Sequence, residues 1–523
     1  MKKVILVFVP GAAPNCIPLG IASLFAYAQN ALPDIAISMV DLSILFWNRL
    51  AVGDKIGRDE TEALYQTADA FFNKTLYLEK RHKMAALMTR WQQITHSLMT
   101  RLSGDKQEMD PWYTATLFEK LEVTDTDIVA LSAAYPEQLF HAAVIARLLK
   151  SRYPNLTVVL GGSALPSIHP STFMAAVPQL DGLYLGEGEQ GLVDYILGQS
   201  HESRGWMVRE RGQITSGRRP LAIPMQNLPA PSFHDLHIST RWMPTPVLPV
   251  AFSRGCKWRK CAFCCHNFGF AGYRTNDYAR FATHLEQLQQ QYHAAYFYFT
   301  DQYIDANALH GIATEILKRK LQIRFHVMGR PTSDYTREVL ELLFEAGCRW
   351  ISWGVESGAQ SLLDGCQKGT QVAAVARVLK HSHLAGINNL AMMVFGLPGT
   401  NDALFQETLD FATDVSPWVD AFTDSSFQLF EGTPYYNRAQ AMGIFPGENE
   451  ILFKVGNVAV VSNRLAYRYT SQNGEPVLPP GPGEVALWQR WKAWIRGESF
   501  FETLSAEHYL LIADHLSKAP LLN

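Results

Sequence analysis

The chain has 523 residues, 47% of them hydrophobic and 18% charged, with a formal net charge of −3. That length supports two to four domains with sizeable cores, and the charge balance offers no overall electrostatic footprint for RNA or DNA. Seven cysteines, odd in number and clustered, suit a reducing cytoplasm better than a disulfide framework, and no apolar run is long enough to span a bilayer.

The opening Met-Lys-Lys-Val-Ile-Leu-Val-Phe-Val-Pro has the outline of a leader. Its apolar run is only Val4 to Val9, and Pro10-Gly11 stops it, so it reads as a buried strand. Strand and helix patterns then alternate. A helix is expected over Pro18 to Asn30 and a strand over Ile35–Leu42. A third strand over Asp127–Ala134 leads into a helix from Gln138 to Tyr153. Thr157–Gly162 and Gly182–Leu185 read as the fourth and fifth strands. Such alternation predicts a parallel, doubly wound sheet whose ligands sit at the carboxyl ends of the strands. Three phrases fall there: Ser132-Ala-Ala-Tyr135, Gly161-Gly-Ser-Ala164 and Gly186-Glu-Gly-Glu189, the last holding Glu187 and Gly188. The pair Gly161-Gly162 lets backbone approach a ligand closely, because no Cβ intervenes. A Rossmann-like domain without a cofactor is the plain alternative.

Residues 43–126 interrupt the pattern. From Asp59 to Arg101 there is helical periodicity with neither Gly nor Pro, which predicts an inserted helical hairpin or arm. Its Met84, Met88, Trp91 and Met99 read as core. Residues 205–250 are Pro-rich with short strands, Trp206–Arg209 among them. They read as a connector that ends in an entry strand, Val247–Phe252.

Next comes Ser253-Arg-Gly-Cys-Lys-Trp-Arg-Lys-Cys-Ala-Phe-Cys-Cys-His266. Cys256, Cys261 and Cys264 are spaced C-x4-C-x2-C, and Cys265 follows directly. Three thiolates on one tight loop can hold an iron–sulfur cluster and leave one iron without a protein ligand. Structural zinc, with Cys265 or His266 as fourth ligand, needs a second ligand pair that does not follow at suitable spacing. Inert buried thiols are the other alternative.

Alternation then resumes. Helices are expected over Tyr278 to Tyr292, Ala306 to Lys320, Thr336 to Ala346, Ala373 to Ala385 and Leu404 to Val415. Strands are expected over Ala295–Thr300, Ile323–Met328, Trp350–Val355, Leu390–Phe395 and Ala421–Leu429. With the entry strand this makes six, and a partial (βα)6 barrel is the natural closure, its polar strand ends gathered at one mouth. Those ends carry Asp301, Gly329-Arg330, Glu356-Ser-Gly358 and Gly396-Leu-Pro-Gly-Thr400. Beyond residue 440, Leu452–Val461 and Tyr467–Thr470 suggest strands, and Pro479–Gly483 is a breaker. Trp488, Trp491, Trp494 and Ile495 lie at core-like helical spacing. The expected organisation is an α/β fold. Residues 1–230 form a Rossmann-like domain with its helical insertion, 245–440 the barrel, and 441–523 a small α+β accessory region.

The cysteine loop resembles that of the radical S-adenosylmethionine (SAM) enzymes, with one extra residue in the first gap. That longer gap occurs among members with a cobalamin-binding domain, which use phrases like Gly-Cys-x-Trp-x-x-Cys-x-Phe-Cys. The front domain is similar to that cobalamin-binding domain, written Ser-x-Leu, 26 to 28 residues, Gly-Gly. Here Ser132-Ala-Ala134 precedes Gly161-Gly162 by 26 residues. The family's Asp-x-His-x-x-Gly is missing, so no imidazole from this chain would reach cobalt; radical SAM relatives usually lack it too. The resemblance implies three cofactors: a [4Fe-4S] cluster on Cys256, Cys261 and Cys264, SAM, and cobalamin. It places Phe263, Glu356, Arg330, Asp301, Gly396 and Leu397 around SAM, and Ser132, Gly161, Gly162, Glu187 and Gly188 around cobalamin. Bland roles stand beside three of these: a helix cap for Glu356, a surface ion pair for Arg330, and a helix cap for Asp301.

The activity so implied is methylation of an unactivated carbon in a natural-product, peptide or lipid substrate through a 5′-deoxyadenosyl radical. An external electron donor such as flavodoxin or ferredoxin would feed it, in the cytoplasm. Radical cyclisation or rearrangement without methyl transfer is the nearest alternative, and a non-catalytic cobalamin-binding or sensor protein the second. An RNA methylthiotransferase is disfavoured by the acidic balance and by the lack of an evident basic RNA module.

Overall fold

A computed structural model describes residues 3–53, 67–104, 109–199, 204–210, 212–217, 222–266, 272–423, 425–470, 476–477, 489–491 and 506–517. The expectations for 59–66, Pro479–Gly483, Trp488, Trp494, Ile495 and the Met84 side chain lie outside them. The chain divides into two compact units. One comprises Met1–Pro246, Phe268–Ala271 and Glu450–Asn463; the other comprises Val247–Asn267, Gly272–Asn449 and Arg464–Asn523. No described helix is long and apolar enough to cross a membrane.

The first unit is a seven-stranded sheet: β1 (Val4–Phe8), β2 (Ile37–Asp41), β3 (Ile128–Ser132), β4 (Thr157–Gly161), β5 (Gly182–Tyr184), β6 (Trp206–Glu210) and β7 (Gln213–Ser216), in the order β2-β1-β3-β4-β5-β6-β7. The first five strands run parallel, as expected. Every residue of β1 and of β3 is buried, which is why they read as unbroken apolar runs rather than alternating ones. The connector reading of Trp206–Arg209 is corrected: β6 and β7 extend the sheet antiparallel. They cover what would otherwise be an open edge on β5. Trp206 secures them, donating from Nε1 to the Gly191 carbonyl at 2.9 Å.

The insertion is helical, with helices at Leu42–Gly53, Ala68–Phe72, Lys74–Ser103 and Pro111–Lys120. The 30-residue helix starts at Asn73, whose side chain caps Leu76 N. Leu87, Trp91 and Leu98 form its buried stripe. Trp91 is core, stacked on His141 with centroids 5.2 Å apart. Met88 is 45% exposed, correcting its core reading; one residue on from Leu87, it is turned about 100° off the stripe. Met99 is half-buried.

The second unit holds β8 (Val247–Val250), β9 (Ser253–Arg254), β10 (Arg274–Thr275), β11 (Tyr296–Phe299), β12 (Arg324–Gly329), β13 (Cys348–Glu356), β14 (Asn388–Phe395), β15 (Ala421–Phe422), β16 (Ser425–Ser426) and β17 (Leu429–Phe430). Six parallel strands in the order β15-β14-β13-β12-β11-β8, with helices between, make the expected partial barrel. The single last strand over Ala421–Leu429 is corrected. It breaks into β15, β16 and β17, and β17 leaves the barrel to pair antiparallel with a later hairpin. That hairpin is β18 (Ile444–Val455) and β19 (Val458–Thr470), longer than the two separate strands expected, with β20 (Pro476–Val477) on its edge. Gly456, at φ +55°, makes the turn.

The helix Ala506–His515, not foreseen from sequence, closes the barrel end where the strands begin. Its Asp514, fully buried, accepts from Tyr296 Oη and Arg324 Nε, each at 2.7 Å, and lies 3.3 Å from Arg349 Nε. Tyr509 stacks on Trp350 at 4.7 Å. Trp491 is fully buried against Phe395 and Phe422, in keeping with its packing reading.

Candidate active site

In the first unit the strand order reverses at β1, with β2 on one side and β3 on the other, so the crevice lies between the loops that follow β1 and β3. Ser132 and Gly161 end neighbouring strands in register. Ala133 N donates to the Gly161 carbonyl at 3.0 Å, Ala164 N to the Ala133 carbonyl at 3.1 Å, and Ser163 Oγ to the Ala134 carbonyl at 3.0 Å. Two phrases 26 residues apart thereby become one ledge. Gly162 sits at φ +116°, and a Cβ there would lie 2.1 Å from the Ala133 carbonyl oxygen. Glycine is therefore required for the ledge to close.

The loop after β1 is held firmly without a histidine. The Ala12 carbonyl accepts from Ser43 Oγ and Trp47 Nε1, at 3.0 and 2.8 Å. Arg241, fully buried, binds the Cys16 carbonyl at 2.7 Å and pairs with buried Asp41. Cys16 Sγ lies 3.7 Å from Tyr135 Oη, joining the two loops of the crevice. Gly188 opens the helix Gly188–Ile196. A Cβ there would come within 3.1 Å of Leu24, so its smallness serves helix packing. Glu187 precedes it in extended backbone.

In the second unit the cysteine loop leaves β8 at the carboxyl mouth of the barrel. Asp301, fully buried, accepts from Phe252 N at 3.1 Å and from Ser253 N and Oγ at 2.5 Å each. Burial pushes its carboxyl up to about 6, against the pull of those donors. Its oxygens anchor the loop entry. The following helix is capped by Asp305 rather than Asp301. Cys256, Cys261 and Cys264 are all half-buried free thiols. Burial pushes Cys261 and Cys264 up to about 11; the Lys368 charge opposes this at both and is the foremost opposing influence on Cys261. A thiolate here needs compensating positive charge, which a bound metal supplies by replacing the proton. Among the described residues no three of His, Cys, Asp and Glu converge tightly enough to grip one ion. A cluster asks for something else, one thiolate on each of three irons, and the donor set fits it.

One turn, Cys366–Gly369 between the helices Gln360–Gly365 and Val372–Ala385, seats this loop. Ala262 N donates to the Cys366 carbonyl at 2.8 Å and Trp258 Nε1 to the Gln367 carbonyl at 2.9 Å. Arg330 donates to the Gly369 carbonyl at 3.0 Å and lies 3.9 Å from the Trp258 ring centroid. It makes no ion pair among the described residues, so its surface ion-pair reading is corrected. Phe263 packs on the apolar cluster that contains Leu362, Leu397, Phe427 and Tyr435. The Gly396 carbonyl accepts from Tyr469 Oη at 2.8 Å, and the Leu397 carbonyl accepts from Thr400.

Glu356 ends β13 at φ +68°, a conformation costly for a residue with a side chain. The pairing with β14 shifts register between Gly354 and Glu356, a bulge that re-aims the side chain at the rim. Its Oε1 meets Lys368 Nζ at 2.6 Å, both residues being buried. The helix-cap reading of Glu356 is corrected: the next helix is preceded by Ala359, and Ser357 Oγ takes the Ala359 N–H. Lys368 went unnoticed in the sequence, where a lysine in a glycine-flanked turn reads as surface. Trp258 was part of the loop phrase but had no role assigned.

The fold and this loop define a class: a Rossmann-like domain followed by a partial parallel barrel with three thiols at its mouth. The family model of the B12 binding domain matches residues 100–196, and that of the radical SAM superfamily matches 250–412. Residues 100–196 thus match a B12-binding domain and residues 250–412 a radical SAM domain, in one chain. It is 26% identical over 300 residues to an uncharacterized methyltransferase of Pyrococcus horikoshii, covering 55% of this chain and 64% of that one. It is 25% identical over 347 residues to the anaerobic magnesium-protoporphyrin IX monomethyl ester cyclase of Rubrivivax gelatinosus, covering 62% and 60%. The chain thus spans somewhat under two thirds of these relatives. Among solved structures, the radical SAM methyltransferase TsrM from Kitasatospora setae, with cobalamin and a [4Fe-4S] cluster bound, shares the fold. Its TM-score is 0.61 at 15% identity, covering 97% of this chain and 90% of that one. The cobalamin-dependent radical SAM enzyme OxsB, with aqua-cobalamin bound, aligns at TM-score 0.64 and 16% identity, covering 91% and 65%.

Proposed function

We propose that this protein is a cobalamin-dependent radical SAM enzyme that methylates an unactivated carbon of a natural-product, peptide or lipid substrate. The observation that carries the reading is the three-thiol loop at a barrel mouth, in one chain with the Ser132–Gly162 ledge at a sheet crevice. When bound, cluster and SAM supply an organic radical, and cobalamin supplies the methyl group. Cys256, Cys261 and Cys264 hold the cluster. Phe263 offers an aromatic face beside it, Glu356 an acceptor for an ammonium or hydroxyl, and Arg330 a guanidinium face already ordered on Trp258. Gly396 and Leu397 line the strand end opposite. Ser132, Gly161, Gly162 and Glu187 border the corrin. The reaction draws electrons from an acidic carrier of the flavodoxin or ferredoxin kind, in the cytoplasm.

The test is anaerobic reconstitution with iron, sulfide and cobalamin, followed by SAM and reductant. Formation of 5′-deoxyadenosine with S-adenosylhomocysteine supports methyl transfer. Cobalamin uptake without SAM cleavage would instead indicate a non-catalytic binder. The cyclase among the relatives favours a second reading, radical cyclisation without methyl transfer, which product mass separates from the first. Gly162→Val should abolish uptake of cobalamin, read from its visible spectrum, while iron and sulfide content stays near wild type. Its side chain would overlap the Ala133 carbonyl in a backbone conformation that costs more than about 2 kcal/mol for a branched residue.

A further inference from the structure

We propose that Lys368 is a positioning residue that locks Glu356 to the cysteine loop and sets the reduction potential of the cluster that loop would hold. The inference rests on the cluster reading and adds to it a residue outside the cysteine motif. Lys368 leaves the turn that receives the loop through the Cys366 and Gln367 carbonyls. Its ammonium crosses back over β13 to Glu356 Oε1 at 2.6 Å. Gly354 makes room for that crossing, since a Cβ there would lie 2.6 Å from Lys368 Nζ and 3.0 Å from Glu356 Oε1. Gly369 makes room for the loop in turn, because its Cβ would fall 2.2 Å from the Trp258 ring. Cation, carboxylate and loop are therefore placed by two glycines and one turn.

Lys368 is 7% exposed and Glu356 8%, so water screens neither charge well. Lys368 stands two residues beyond the Cys366 carbonyl that receives Ala262 N at 2.8 Å, and Ala262 directly follows Cys261. A buried cation beside a cluster favours the form with the added electron. Glu356, the anion paired with it, opposes this. Losing the cation should make reduction harder, and losing the carboxylate should make it easier. A purely structural ion pair predicts no such opposite signs.

The experiment is reductive titration of the reconstituted full chain, followed by electron paramagnetic resonance, after iron and sulfide content has been measured. Lys368→Met should shift the midpoint negative, Glu356→Gln positive, and Lys368→Arg should stay near wild type. The Lys368→Met/Glu356→Gln pair should fall between the two single variants. Gly354→Ala should follow Lys368→Met with a smaller shift. Where Lys368→Met does not fold, the positive shift of Glu356→Gln carries the test. Identical midpoints across fully loaded variants would overturn the inference and leave the cluster reading standing. A wild-type chain that takes up no iron and sulfide would sink the cluster reading itself, and this inference with it.

Discussion

Replacing Cys256, Cys261 and Cys264 together by alanine should leave a folded protein that lacks cluster absorption and forms no 5′-deoxyadenosine. The thiols lie on a loop held by contacts other than their own. Asp301 fastens the entry, Cys366 and Gln367 receive the middle, and Tyr435 N reaches the Ala262 carbonyl at 3.0 Å. Alanine removes three half-buried thiols without removing any of these bonds. Each single variant should also lose the product, because a cluster with two protein ligands is poorly held. Cys265→Ala, on the adjacent thiol, should retain iron, sulfide and activity. The measurements are iron and sulfide content, visible absorption and product analysis under anaerobic conditions. Deoxyadenosine from the triple variant would show that the ligands lie elsewhere.

The second large effect concerns stability at the opposite end of the barrel. Asp514→Ala removes the carboxylate shared by Arg324, Arg349 and Tyr296, and leaves two guanidinium groups in a buried site. Breaking a buried pair from one side costs about 3–5 kcal/mol, a large share of the roughly 5–15 kcal/mol that holds a domain together. A marked fall in thermal midpoint is expected, read from circular dichroism of the apoprotein. Replacing Asp514, Arg324 and Arg349 together by Leu, Met and Met should recover much of the loss, since apolar groups of similar volume do not leave a charge unpaired. If Asp514→Ala melts with the wild type, the helix Ala506–His515 does not brace the barrel floor in solution.

Much of the molecule was legible in the chain. The helix Tyr278–Tyr292 has the bounds that its pattern predicts, and the barrel strands fall within a few residues of theirs. Those elements repeat a period on which neighbours depend, so local pattern and tertiary need agree. Trp206–Glu210 misled because an added antiparallel strand on a parallel sheet has no signature of its own. Ala421–Leu429 misled because its tail serves a different sheet, a choice that its own residues do not record. Asp301 was legible as a strand-end carboxylate, but its bonds to Phe252 N and Ser253 N were not, because such a carboxylate looks the same whether it faces a ligand or backbone N–H groups.

The sequence by itself determined the spacing of three thiols, the glycine pair 26 residues after Ser132-Ala-Ala134, and the alternation behind the parallel strands of both sheets. These are short-range patterns, written in consecutive residues. Tertiary structure alone decided that Lys368 turns inward to Glu356, that Trp258 carries Arg330, and that a C-terminal helix brings Asp514 to two arginines near the starts of barrel strands. A buried charge is tolerable only where a partner meets it, and that partner is chosen by the fold across gaps that no local pattern spans.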